Sequence, residues 1–155
     1  MVAINENGTD VSLWELPEKF LGTFKSKESV NFDAFLRIRE IPTIIRKALK
    51  YITFCKKIEK NDDGTYNIST SVFGSSYKCR RITFNRPSVM CSKDGSKRII
   101  TFYYDVTSDS LVEVMQFENG CFKLQLSYYY FDGETLVWKC CAQNVSAKRF
   151  YKRVD

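Results

Sequence analysis

Hydrophobic and polar positions fall into two regimes along the chain. Residues 1–15 read as a flexible polar extension, ahead of a single domain at 16–155. From Lys19 to Lys27 the alternation predicts a strand, with Phe20, Gly22 and Phe24 on one face. From Ser29 to about Arg39 the period becomes helical. Phe32, Phe35 and Leu36 share a side, and Ser29 is the expected cap. A second helix follows near Pro42, where Ile41, Ile44, Ile45, Ala48, Leu49 and Ile52 form one stripe. The two helices are joined with almost no loop.

Everything after Ile52 alternates with period two. The expected strands are 52–60, 65–73, 77–84, a short one near Val89, 97–105, 111–117, 121–131, 134–143 and 145–153. Most of the breaks are turn chemistry: Asn61-Asp62-Asp63-Gly64, Asp94-Gly95, Ser108-Asp109, Asn119-Gly120 and Asp132-Gly133. With the first strand this makes ten. Strands joined mainly by hairpins form an up-and-down antiparallel meander, and a meander of that length hides its edges by closing into a β-barrel.

Alternation also assigns faces. In 121–131 the inner face is expected to carry Phe122, Leu124, Leu126, Tyr128 and Tyr130. In 134–143 it carries Leu136, Trp138 and Cys140. In 145–153 Lys148 and Lys152 mark the wet face, which turns Arg149 and Tyr151 inward. An inward guanidinium is costly unless paired. Either an internal carboxylate or a ligand satisfies Arg149.

The 155-residue length allows one core and not two. There is no histidine, which removes Ser-His and Cys-His nucleophile pairs and His-ligated metal sites. No nucleophile elbow, Gly-rich phosphate loop or paired carboxylates appear, so an enzyme is the least supported class. The six cysteines lack C-x-x-C spacing, and neither metal nor cofactor is expected. The first ten residues have no basic start or apolar run. The expected compartment is therefore the cytoplasm, with the nucleus as an alternative and secretion only if a leader was removed.

The net charge of +6 sits in one place. Between Arg37 and Lys57 seven basic residues face Glu40 alone, and the rest of the chain is balanced. Such a patch is either a solvated helix face or a contact for an anionic surface. It is not interleaved with aromatics on an exposed sheet, so nucleic-acid stacking is not expected.

The order of elements, ending in Arg149-Phe150-Tyr151, resembles the intracellular lipid-binding proteins, that is, the fatty-acid-binding protein family of the calycins. Phe20-Leu21-Gly22-Thr23-Phe24-Lys25 is similar to the family's opening F-x-G-x-W-K. Asn31-Phe32-Asp33-Ala34-Phe35-Leu36 is similar to its first-helix motif, and Arg46-Lys47 to its second-helix basic pair. Leu111-Val112-Glu113-Val114 adds to the pattern. The stretch from Leu16 to Lys25 looks most like the nematode branch, some members of which are secreted.

The resemblance implies a ten-stranded antiparallel barrel with a two-helix lid between strands 1 and 2. It implies a long-chain fatty acid inside, its carboxylate meeting Arg149 and Tyr151. It puts Phe32 and Leu36 on the cavity side of the lid, Phe73 at a portal turn, and Trp138 and Cys140 on the wall. Two departures bear on the ligand. Tyr128 stands where the family often has a second inward arginine, and Glu113 falls at an inward position the family keeps neutral or His. Both remove positive charge, which leaves room for an acyl amide, retinoid or monoacylglycerol. Arg46, Lys47 and Lys50 on the lid would meet anionic membrane, to which a monomeric carrier delivers its cargo. The rival reading is a signalling or interaction protein whose cavity is vestigial and closed by Glu113 and Arg149.

Overall fold

A computed structural model describes residues 15–72, 74–91, 95–118 and 124–155. A 3-10 turn at Glu18–Phe20 leads into β1 (Gly22–Val30), then α1 (Phe32–Ile38) and α2 (Thr43–Leu49). The remaining strands are β2 (Cys55–Lys60), β3 (Tyr66–Val72), β4 (Ser75–Ile82), β5 (Ser88–Cys91) and β6 (Lys97–Asp105). They continue as β7 (Ser110–Phe117), β8 (Leu124–Asp132), β9 (Thr135–Ala142) and β10 (Val145–Arg153). The ladder runs β4-β3-β2-β1-β10-β9-β8-β7-β6-β5, all antiparallel, and forms a nearly closed barrel whose seam lies between β4 and β5.

Turn chemistry sets the registers. Ala142 pairs with Val145 across a two-residue loop, Gln143-Asn144, in which both φ angles are positive (45° and 64°). That is the mirror-image turn whose twist matches a hairpin. Asp132 pairs with Thr135 across Gly133-Glu134, with Gly133 at φ 60°. The register then fixes which side chains point inward.

One end of the barrel is packed with aromatics. Phe20 meets Tyr104 and Phe131 edge-on, and Tyr66 stacks on Phe84 with centroids 4.7 Å apart. Leu16 is buried there too, its N–H donating to the Tyr66 hydroxyl at 3.0 Å. Arg153 lies over the Phe24 ring and donates to the carbonyls of Leu21 and Lys19 at 2.6 Å each. It thereby ties the last strand to the turn before the first.

Three expectations change. β1 runs on to Val30, and Ser29 pairs with Arg149 in the ladder rather than capping α1. Asn31 takes the cap position at φ 57° and donates its side-chain N–H to the Ser146 carbonyl. The stripe on α2 is not buried. The helix has no buried residue, and Ile44 is 82% exposed. A seven-residue helix laid across a barrel mouth has no second layer to cover its outer side.

The third change is in β8. Gln125, Ser127 and Tyr129 are buried, while Tyr128 lies on the outer face, paired with Val112 and Lys139. The run Tyr128-Tyr129-Tyr130-Phe131 is aromatic at both parities, so its own pattern carried no direction. Phe73 and Phe122 lie outside the described residues.

Gly22 has φ 131°, and a Cβ there would collide with the Arg153 guanidinium. Gly22→Ala is expected to lower stability by about 1–3 kcal/mol, from backbone strain plus the displaced Arg153 contacts. The measurement is the urea midpoint. An unchanged midpoint would mean that neither the backbone nor Arg153 is constrained there.

Candidate functional site

Above the aromatic end the interior turns polar. A cavity of about 310 Å³ is lined by Lys56, Glu113, Gln125, Tyr129, Arg149 and Tyr151, with Trp138 on its wall. It reaches Arg39 at the helix joint and Thr70, Val72 and Ser75 beside the β3–β4 turn. A larger depression of about 540 Å³ lies on the lid itself, lined by Phe32, Asp33, Leu36, Arg46, Lys47 and Lys50. From the strands it includes Ser29 of β1, and it shares none of the residues that line the interior cavity.

Arg149 projects from β10 between Trp138 on β9 and Ser29 on β1. Its guanidinium carbon lies 3.5 Å from the Phe54 ring centre, 4.1 Å from Phe32 and 4.8 Å from Trp138. Ring faces are negative, so three of them offset part of the cost of desolvating the cation. Nη1 donates to the Tyr151 hydroxyl at 3.2 Å, while Nη2 is buried without an acceptor. Gln125 Oε1 is also buried without a donor. A buried donor left unmet costs about 1–3 kcal/mol, more when charged.

Two strands from Arg149, on β2, a second cation is enclosed. Lys56 Nζ donates to the Tyr129 hydroxyl at 2.9 Å, and both residues are buried. Burial pushes the Lys56 ammonium below its ordinary value, against the attraction of Glu113. Burial pushes Glu113 above its ordinary 4.5, against the attraction of Lys56 and Arg39. Tyr151 is raised by burial, with Arg149 opposing. Burial likewise pushes the Cys140 thiol up to about 12, so it is an unreactive buried residue, and it is not among those lining the cavity.

The sequence left open whether Glu113 or a ligand satisfies Arg149. Among the described residues no ion pair joins Glu113 to Arg149; Arg149 is held by rings and Tyr151. Arg149, Tyr151, Glu113, Trp138, Cys140 and Leu36 are buried, and Phe32 packs from α1 over the guanidinium. Tyr128 stays outside this group, and Phe73 lies outside the described residues.

The basic patch is also divided. Lys56 points into the barrel and Arg39 lies over Phe35 and Phe117. Arg46 pairs with Asp33 at 3.0 Å and donates to the Ile41 carbonyl, so it fastens the lid together. Lys47 and Lys50 remain exposed.

Lys56 and Tyr129 were missed by pattern reading, yet signals existed. Lys56 shares its parity with Ile58 on β2. Tyr129 is the ladder partner of Trp138 once the Gly133 turn has two residues, and Trp138 was already expected inside.

No family model matches the chain. It is similar to "Fatty acid-binding protein homolog 2" of Caenorhabditis elegans, 34% identical over 152 residues, which cover 94% of this chain and 91% of that protein. The chain belongs to the fatty-acid-binding protein family. Another relative, "Fatty acid-binding protein homolog 1" of the same organism, is 31% identical over 90% of this chain and 87% of its own. Among solved structures it is similar to "As-p18, an extracellular fatty acid binding protein", at TM-score 0.78 and 27% identity, covering 90% of this chain and 99% of that one. A Schistosoma mansoni fatty acid binding protein in complex with arachidonic acid superposes at TM-score 0.75 and 20% identity, covering 91% and 100%; at that identity it shows the fold. The polar cavity of this family member is thus enclosed by the barrel its relatives share.

Glu113 gives a stability prediction. Its folded-state value lies above the ordinary 4.5, so the folded protein holds that proton more tightly than the unfolded chain does. The associated stability is full below that ordinary value and is lost as pH rises through the folded value. Glu113→Gln removes this loss. The variant is expected to match wild type near pH 4 and to melt higher, by roughly 2–6 °C, at pH 8. Thermal melts across that range check it, and a variant that melts lower at pH 8 would show that the carboxylate is needed charged.

Proposed function

We propose that this protein is a carrier that holds a long-chain fatty acid inside the barrel, its carboxylate on Arg149 and Tyr151. The observation that carries the reading is Arg149 Nη2, a buried cationic donor without an acceptor on the wall of the cavity. A carboxylate accepts two parallel N–H bonds from a guanidinium and one O–H bond from a phenol. Each methylene removed from water contributes about 0.8 kcal/mol, so the chain supplies most of the affinity and the headgroup contact sets orientation. The names of the nematode relatives support the same ligand class.

The neutral-lipid reading rested on Tyr128 and Glu113 together removing positive charge; the lack of an ion pair between Glu113 and Arg149 and the enclosed Lys56 favour the carboxylate. The vestigial-cavity reading loses ground for the same reason. The site is built for binding: its titratable groups are sequestered, and the two thiols on its inner strands are held up by burial. The five cysteines among the described residues are free thiols, which suits a reducing cytoplasm. Among the described residues no helix is long and apolar enough to cross a membrane.

Delivery uses the outer lid. Lys47 and Lys50 lie on or just beyond α2, beside exposed Ile44 and Ile45 and near Tyr51, which suits a transient contact with anionic headgroups. Arg46, committed to Asp33, acts within the lid. The carrier acts as a monomer in this reading.

Arg149→Met keeps volume under the three rings and removes the donors. It is expected to weaken oleate by about 10- to 100-fold, the worth of charge-assisted hydrogen bonds, and oleamide by only about threefold. Displacement of a fluorescent probe measures both, and equal losses would strip Arg149 of its headgroup role. Lys47→Glu with Lys50→Glu is expected to slow transfer of a fluorescent fatty acid to anionic vesicles by about tenfold at low salt, with unchanged ligand affinity. Transfer at the wild-type rate to such vesicles would count against membrane contact through the lid.

A further inference from the structure

The carboxylate clasp leaves one enclosed cation unused. Lys56 is only 5% exposed, yet it lines the same cavity as Arg149, two strands away. Its Nζ donates to the Tyr129 hydroxyl at 2.9 Å and lies 4.8 Å from the centre of that ring. Among the described residues no carboxylate comes within ion-pair distance of it. A primary amine on the wall of this cavity, hydrogen-bonded to a phenol and not locked to a carboxylate, is placed as a nucleophile.

We propose that Lys56 captures hydrophobic aldehydes, its Nζ forming an imine with a long-chain aldehyde that enters the cavity in place of the fatty acid. The reaction needs no oxidant or reductant. The nitrogen lone pair attacks the carbonyl carbon, an N–C bond forms, and the carbonyl electron pair moves to oxygen. A proton passes from nitrogen to that oxygen, giving a carbinolamine. The hydroxyl then leaves as water with a proton lent by Glu113, the C=N bond forms, and the second N–H proton returns to Glu113 when the imine becomes neutral. One aldehyde and one amine give one imine and one water.

The surroundings fit each stage. The attacking amine must be unprotonated, and burial favours that state in Lys56. Glu113 lines the same cavity and is held toward its protonated form by burial, so it can lend a proton to the departing hydroxyl. Once ionised it balances the charge of a protonated imine. Val72, Met115 and Trp138 in the lining offer apolar surface to the alkyl chain. The next residue in sequence is the internal control. Lys57 is exposed, paired with Glu59 at 2.7 Å, and raised by that contact, so it stays an ammonium.

The proposal goes beyond the carboxylate reading and shares with it only the cavity. The test incubates delipidated full-length protein with one equivalent of hexadecanal and traps the imine with sodium cyanoborohydride. Intact mass and peptide mapping then locate the adduct, and oleate binding is titrated in parallel on the same preparation. The expected result is a single reduced adduct at Lys56 with Lys57 unmodified. A tenfold excess of oleate is expected to reduce its yield by about fivefold or more through competition for the cavity. Lys56→Met is expected to abolish the adduct; if that variant does not fold, mapping on the wild-type chain decides alone. Adducts spread over exposed lysines, with Lys56 untouched in protein that binds oleate, would overturn the proposal and leave the carrier reading standing. Protein that takes up neither oleate nor aldehyde would overturn both.

Discussion

The structure turns on how a barrel accommodates the cations it encloses. Arg149 sits where β10 passes between β1 and β9, away from bulk water. An isolated guanidinium there would be prohibitively costly. Phe54 and Phe32 come from the β1–β2 connection and Trp138 from β9, and together they surround it with ring faces. Tyr151 takes one donor, and another is left over. The lid and the Arg149 site are therefore one device, because α1 closes the mouth with the same Phe32 that covers the cation.

That coupling divides the molecule into a rigid end and a yielding one. The aromatic end is tied by Arg153 and by packed rings from β1, β6 and β8. The lid has unequal halves. α1 buries Phe35 and Leu36, and Trp138 meets the Phe35 ring with centroids 5.9 Å apart. α2 buries no side chain and is held by the Arg46–Asp33 pair and the helix joint. Elements with little buried apolar surface open at the lowest free energy, so α2 is the part of the mouth that moves most readily. The joint adds strain, with Glu40 at φ 58° in a position that favours glycine.

The polar interior also explains why β8 was hard to orient. Sequence alternation assumes that the inner face is the apolar one. In this barrel the inner face of β8 carries Gln125 and Ser127 because it borders a polar cavity, not a core that only packs. Lys56 misleads in the same way: a lysine beside another lysine reads as surface charge until its strand partners place it opposite Tyr129. A barrel with a functional lumen inverts the usual pattern where its chemistry lies.

The amino-acid sequence by itself determined the ten strands, the turns at Asn61–Gly64, Ser108–Asp109 and Asp132–Gly133, the two helices and the inward orientation of Arg149 and Tyr151, while the bounds of β1, β2 and β4 differ from those its alternation gave. Those features are local: period-two alternation, turn residues with positive φ, and two lysines that fix the parity of β10. Only the tertiary structure decided what surrounds Arg149, which tyrosine of β8 faces the lumen, that Glu113 lies nearer in effect to Lys56 and Arg39, and that α2 leaves its apolar stripe uncovered. These depend on residues distant in sequence meeting across a closed sheet, where one residue of register exchanges the wet face for the enclosed one.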